Sequence, residues 1–393
     1  MHEPERPLRI GLFTYATQAR GGVVHTLELA RALAGLGHAV TVHAPDESGA
    51  GFFRRGPWEA RLLPVAAVER DARTLVQARI AAYVAAASSA GLERFDVYHA
   101  QDGISANALA RLNLAGRVPA FLRTIHHLDR FEEPQVALLQ DRAVEAAAGC
   151  FVVSELWRER VRERYDREAS VVGNGVDTER FVPLDTVARR ILRARLGFSD
   201  QPLFLAVGGI EERKNTLGIV RAFEHVRETL PAARLLVAGG ASVLDHSDYA
   251  HEFMRLRAAL GPGTNAAIAC SGAVSDATLV ELMQAADALV FPSFREGFGL
   301  VVLEALACGT PAVVSALAPF TSYLAAGEAL FVDPHDPAAI ARAMLAAWEP
   351  ERRAQLRAVG PRVAARFPWR AVAQAHLPAY RAFAAAHGDR IVA

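Results

Sequence analysis

Two doubly wound α/β domains in tandem are what this chain of 393 residues predicts. Short apolar runs alternate with stretches of helical periodicity, the pattern of a parallel sheet with helices on its faces. The alternation restarts after Gly173-Asn174-Gly175-Val176-Asp177, so two sheets are expected rather than one. The length suits two or three domains, each large enough to bury a core of its own.

The first half opens with an apolar strand at 8–14, a glycine-bearing loop, Ala19-Arg20-Gly21-Gly22, and a helix with Val23, Leu27, Ala30 and Ala34 at helical spacing. Gly37 follows as its stop signal. Further strands are expected at 39–44, 96–99, 120–125, 150–153 and 170–172. Between the last two, an arginine-rich stretch at 155–167 carries Glu155, Glu159 and Glu163, with Glu168 following, and reads as a helix with a solvated, salt-bridged face. The second half repeats the pattern, with strands at 203–207, 234–237, 266–269, 288–291, 312–314 and 330–332. One helix has Leu279, Leu282, Met283 and Ala286 on a single face; another starts with Asp336 as N-cap and Pro337 at its first position. Residues 367–380 read as a final helix able to bridge two domains. The expected division is 1–181 together with 370–393, and 182–369.

Composition narrows the function classes. Basic and acidic residues number 43 each and 52% of the chain is hydrophobic, the profile of a soluble globular enzyme rather than a nucleic-acid binder. Cys150, Cys270 and Cys308 are odd in number and widely spaced, so reduced, buried thiols in a cytoplasmic protein are expected. Residues 1–9 are polar and proline-bearing, unlike a secretory signal. An uncharged run at 305–327 is broken by Gly309, Pro311 and Pro319, and reads as helix, buried strand and helix rather than a membrane span.

Of the 43 basic residues only Lys214 is a lysine, and it lies in a loop directly after an apolar strand. A compact ammonium on a flexible stem differs from a guanidinium fork, and phosphate held as a point charge is one job that favours it. A second motif, Phe291-Pro292-Ser293-Phe294-Arg295-Glu296-Gly297-Phe298-Gly299-Leu300-Val301-Val302-Leu303-Glu304, runs from a strand through two glycines into a helix. Bare glycines let a ligand approach the backbone, and the free N–H groups that start a helix form an anion site. A diphosphate fits there. Glu296 in the loop and Glu304 in the helix would then meet different parts of one extended ligand, accepting hydrogen bonds from sugar or ribose hydroxyls.

These features, in this order, resemble the retaining glycosyltransferases of family 4, with the GT-B fold of two Rossmann-like domains. The matching elements are the Gly21-Gly22 loop, the Val172-to-Asp177 segment, Val207-Gly208-Gly209 followed by Lys214, Gly272 within Ser271-Gly272-Ala273, and Pro292-Ser293 ahead of Glu296 and Glu304. The resemblance covers nearly the whole chain and implies a nucleotide diphosphate sugar as donor, held mostly by the second domain, with an acceptor hydroxyl met mostly by the first. Lys214 would neutralise the diphosphate, and Glu304 would hold the ribose. Glu296 and the backbone of Gly297, Phe298 and Gly299 would meet the sugar. Leu300 would offer its N–H to phosphate, and Gly21 and Gly22 would approach the phosphate from across the cleft. His126 matches the family histidine near the reacting sugar. Gly209 stands where the family usually has an arginine; Arg213 is one substitute for that charge, weaker phosphate binding the other reading. No Asp-x-Asp occurs, so no metal and no further cofactor are expected.

Other readings stay open at this level. His127 is as available as His126. His25 and His99 read as structural. Asp102 either faces an acceptor or caps the next helix. The aromatic loop Gly51-Phe52-Phe53-Arg54-Arg55-Gly56-Pro57-Trp58 grips an acceptor, touches a membrane surface, or folds over the sheet edge. Gly261-Pro262-Gly263-Thr264-Asn265-Ala266 matches a dinucleotide pattern but precedes a strand where that pattern must follow one. Backbone around Gly239, Gly240 and Gly272 is expected to read the nucleobase. An epimerase, hydrolase or phosphorylase of the same architecture, and a non-catalytic nucleotide-sugar sensor, are the competing functions.

Overall fold

The computed structural model describes residues 6–68, 71–90, 94–131, 133–239 and 247–387. Gly240 lies outside them. The chain divides into two compact units, one of Met1–Asn174 with Trp369–Ala393 and one of Gly175–Pro368. The crossings thus fall at 174/175 and 368/369, rather than at 181/182 and 369/370.

The first unit is built on seven parallel strands: β1 (Arg9–Phe13), β2 (Ala39–Asp46), β3 (Glu59–Pro64), β4 (Val97–Ala100), β5 (Leu122–Ile125), β6 (Gly149–Val152) and β7 (Ala169–Val171), in the order β3-β2-β1-β4-β5-β6-β7. The second has β8 (Leu203–Val207), β9 (Arg234–Ala238), β10 (Ile268–Gly272), β11 (Ala288–Phe291), β12 (Ala312–Ser315) and β13 (Leu330–Val332), in the order β10-β9-β8-β11-β12-β13. The central strands β1, β4, β8 and β11 are almost wholly buried. That follows from their near-continuous apolar sequence, since helices cover both faces of a parallel sheet. Strand order reverses between β1 and β4 and again between β8 and β11. The loops after such a switch point are where open α/β sheets hold ligands.

β3 was not expected. It is the exposed edge of its sheet and lacks an inward apolar set, so periodicity is silent there. The strand expected at 266–269 is shifted to Ile268–Gly272, because Pro262–Ala266 forms a short helix ahead of it. The 305–327 run resolves into the end of helix Leu300–Ala307, strand β12 and helix Phe320–Tyr323. No helix among the described residues is long and apolar enough to cross a membrane.

The aromatic loop turns inward, with Phe52, Phe53 and Trp58 packed against the core that includes Leu8, Leu27 and Tyr380. The arginine-rich helix, Glu155–Tyr165, carries Arg158–Glu155 and Arg160–Glu163 ion pairs on its surface. Cys150 and Cys308 are buried, but Cys270 is exposed, because β10 is an edge strand whose side chains face solvent. The final helix, Trp369–His387, returns to the first unit and packs on helix Gly21–Ala34. Tyr380 on that helix is fully buried, and burying an aromatic ring of this size is worth about 1.5–3 kcal/mol.

Candidate functional site

In the second unit, the loops after β8 and β11 meet at the switch point. After β8 the chain passes Gly208 and Gly209 into a single 3₁₀ turn, Glu212–Lys214. Asn215 then takes a left-handed conformation, with φ of 57°, and starts helix Thr216–Thr229. The Lys214 side chain folds back across the bare backbone of Gly208, where an added Cβ would come 2.7 Å from Lys214 Cε. Any larger residue at 208 would displace it. The loops are joined by backbone: Phe294 N–H donates to the Arg213 carbonyl at 3.0 Å. Asn215 Nδ2 also donates to the carbonyls of Pro292, at 3.2 Å, and Pro334, at 2.6 Å.

This latch brings the charged groups together. Glu296 Oε1 accepts from Lys214 Nζ at 2.6 Å and from Arg213 Nη1 at 2.8 Å, while Arg213 Nη2 pairs with Glu211 at 3.2 Å. The Lys214 ammonium also lies 4.3 Å from the centre of the Phe291 ring. Its side chain is only 14% exposed, so the lysine is not the exposed residue that its loop position suggests. Burial pulls its pKa below the ordinary lysine value, Glu296 opposes that, and Arg213 reinforces it. Arg213 therefore stands beside Lys214, four residues on from the glycine at 209.

The glycine loop then leads into helix Leu300–Ala307 through Gly299, and no side chain caps that helix. Val302 N–H donates to the Gly299 carbonyl at 2.9 Å, which leaves the N–H groups of Leu300 and Val301 to face an anion. Glu304 is buried on the helix. Phe298 turns its ring away, stacked on Tyr323 at 4.5 Å, and its carbonyl accepts from the Tyr323 hydroxyl at 3.1 Å. Asn215, Phe291 and Tyr323 were not expected in this constellation. An asparagine next to the one lysine, a residue type that tolerates the left-handed region, is the signal that could have flagged the first.

In the first unit, the adjacent histidines after β5 part company. His127 is exposed and pairs with Asp129 at 3.0 Å. His126 turns in against Gly22, where an added Cβ would lie 3.4 Å from its Cδ2. Its ring meets His25 edge-on, with centroids 4.7 Å apart. It bonds to the Gln101 backbone, and its Nε2 is sealed from solvent without a partner among the described residues. Burial, with His25 adding to it, holds its pKa well below the ordinary histidine value, so the ring is neutral at pH 7.

Behind it lies a buried histidine cluster. His25 Nδ1 donates to Asn174 Oδ1 at 2.6 Å, and its ring meets Trp369 edge-on at 5.3 Å. His99 bonds to Tyr380 and Thr124 at 2.6 and 2.8 Å, and His376 packs against both His99 and Phe151. His25 and His99 are thus core residues, but His25 also walls the pocket of His126. Asn174 and Trp369, the residues at which the chain leaves and re-enters this unit, both rest on His25. Asp102 caps helix Gly103–Leu114, its Oδ1 accepting from Ile104 and Ser105 N–H at 2.8 Å each. Burial raises its carboxyl to about 6.

A family model described as Glycosyltransferase Family 4 matches residues 19–180, and one described as Glycosyl transferases group 1 matches residues 188–361. A D-inositol 3-phosphate glycosyltransferase from Xylanimonas cellulosilytica is 31% identical over 92% of this chain and 91% of its own length. Another protein of that name from Frankia alni is 32% identical over 92% of this chain and 94% of its own length. Among solved structures, sucrose-phosphate synthase from Thermosynechococcus elongatus superposes with a TM-score of 0.76 at 22% identity, covering 97% of this chain and 100% of that one. HepE from Anabaena, in complex with UDP-glucose, gives 0.76 at 16% identity over 95% and 100%. These two likenesses show the fold, two parallel-sheet domains of the GT-B type. Matched over both halves, and sharing nearly a third of its residues with a relative along almost all of its length, the chain belongs to glycosyltransferase family 4.

Proposed function

We propose that this glycosyltransferase moves a hexose from a nucleotide diphosphate sugar to a hydroxyl acceptor, with retention of anomeric configuration and without a metal. The observation that carries the reading is the gathering of Lys214 and Arg213 on Glu296 beside the uncapped start of helix Leu300–Ala307. In such a transfer, cleavage of the sugar–phosphate bond runs ahead of attack by the acceptor on the same face. The electrostatic task is the charge that builds on the leaving diphosphate. Lys214, Arg213 and the N–H of Leu300 are proposed to hold it. Glu304 is assigned to the ribose hydroxyls, and Glu296 with the backbone of Gly297, Phe298 and Gly299 to the sugar. On the first unit, His126, kept neutral by burial, is assigned to sugar hydroxyls or developing charge, with Gly21 and Gly22 leaving the phosphate unobstructed.

A nucleotide sugar as donor is supported by the HepE complexes, which hold UDP or UDP-glucose. The relatives named for D-inositol 3-phosphate put phosphorylated polyols first in an acceptor panel. The test is proton NMR with uridine, guanosine and adenosine diphosphate sugars, with and without acceptors, following nucleotide release and product configuration. Acceptor-dependent release of one nucleotide, with the donor's configuration kept, is the expected result. Release without an acceptor would move the assignment to a hydrolase or epimerase. An inverted product would refute the retaining mechanism.

A further inference from the structure

At the opposite end of the second sheet from Lys214, charge is out of balance. Asp287 immediately precedes β11, and its buried carboxylate accepts from Leu203 N–H at 2.8 Å. Three guanidinium groups converge on it: Arg189 at 2.7 Å, Arg193 at 3.1 Å and Arg353 at 3.7 Å. Arg357, one turn after Arg353 on helix Pro350–Ala364, adds a fourth. Asp287 is the one carboxylate in ion-pair range of this group among the described residues; Asp200 acts on Arg193 from further away.

The four arginines fall into two pairs. Arg189 and Arg193 donate to carbonyls of Gln284, Ala285, Ala286, Ser199 and Gln201, several of them at the C-terminal end of helix Asp276–Ala285, where cations are favoured. That pair is explained by the fold. Arg353 and Arg357 are held less fully: Arg353 reaches Asp287 only at ion-pair range, and neither guanidinium makes a hydrogen bond to a described residue. Arg353 lies over the Trp348 ring at 4.4 Å, and Nη1 of Arg357 is sealed from solvent without a partner among the described residues. Burial and the neighbouring Arg189 together pull the Arg357 guanidinium down to about 10, against the pull of Asp287. A buried donor left unpaired is costly, and three surplus positive charges repel one another. A tetrahedral oxyanion answers both, since it brings negative charge and accepts from guanidinium forks.

We propose that Arg353 and Arg357 form a binding site for a phosphate group, free or carried as an ester, distinct from the site at Lys214. The test is thermal unfolding of the full chain in low-salt buffer, titrated with inorganic phosphate, with a sugar phosphate, and with chloride at matched ionic strength. Phosphate should raise the midpoint with the logarithm of its concentration once that exceeds the dissociation constant, reaching roughly 3 °C or more beyond chloride. Lys214→Ala should keep that rise and Arg357→Met should lose it. Without phosphate, Arg357→Met should unfold no lower than the wild type, because methionine keeps the packing and removes surplus charge. A larger rise with the sugar phosphate would name the ester as the ligand, and a larger rise with inorganic phosphate would name the free anion. Equal responses to phosphate and chloride would overturn the proposal. So would a rise lost in Lys214→Ala but kept in Arg357→Met. Should Arg357→Met fail to fold, Arg353→Met takes the same test with the same outcomes.

Discussion

The buried histidines make the first unit sensitive to acid, and the size of the effect follows from their surroundings. Burial carries His25 from 6.5 to about 4, despite the opposing bond to Asn174, and His376 to about 3. In both, the unfolded chain takes up the proton first, so their stabilisation is whole above pH 6.5 and is lost as pH falls below it. Relative to pH 8, each costs about 2 kcal/mol of stability at pH 5. Asp102 works the other way. Its folded value of about 6 lies above the ordinary 3.8, so the folded state binds its proton first and gains about 1 kcal/mol at pH 5. The net loss is about 3 kcal/mol, a large share of the 5–15 kcal/mol typical of a folded domain. His99 and His126 are displaced in the same direction as His25 and deepen the loss. The assay is urea unfolding between pH 8 and 5, followed by tryptophan fluorescence, in the wild type and in His376→Phe. The variant should lose about 1.4 kcal/mol per pH unit from the slope below pH 6.5, whatever its absolute stability. An unchanged slope in His376→Phe would refute the argument, because it would mean that His376 is already charged or solvated in the folded protein.

Other perturbations test the donor end. Lys214→Ala should cut transfer by roughly two to three orders of magnitude, in line with the loss of one transition-state donor, while circular dichroism stays that of the wild type. Near-normal turnover would remove the lysine from the diphosphate. Glu304→Ala should weaken nucleoside diphosphate binding by roughly ten- to a hundredfold in calorimetry, as loss of a hydrogen bond to a charged group does; an unchanged affinity would take it off the ribose. Gly299 has φ of 92°, and an added Cβ would meet Phe320 Cε1 at 2.6 Å. Gly299→Ala should therefore cost at least about 1–2 kcal/mol from the backbone alone, read as a lowered unfolding midpoint. A midpoint equal to the wild type's would show that the loop relaxes freely.

How much of this was legible in the sequence depended on whether a residue's meaning was local. The sheets could be read because buried parallel strands are apolar without interruption, and β3 could not, because an exposed edge carries no such mark. Lys214 and the glycine loop after β11 were legible as residue types that special chemistry requires. The latch that joins them was not, since Asn215 reaching Pro292 and Pro334 spans dozens of residues and has no spacing rule. The adjacent histidines show the limit most clearly. Neighbouring side chains leaving a strand point to opposite sides, so one of His126 and His127 was bound to face inward. Which one is decided by the surface waiting for it. The Cβ-free backbone of Gly22 leaves room for the ring, and His25, fixed by Asn174 and Trp369, supplies its wall. All four lie about a hundred residues away from His126 in one direction, or between about fifty and two hundred and fifty in the other. A choice made by contacts at that distance belongs to the packing, and only the packed chain displays it.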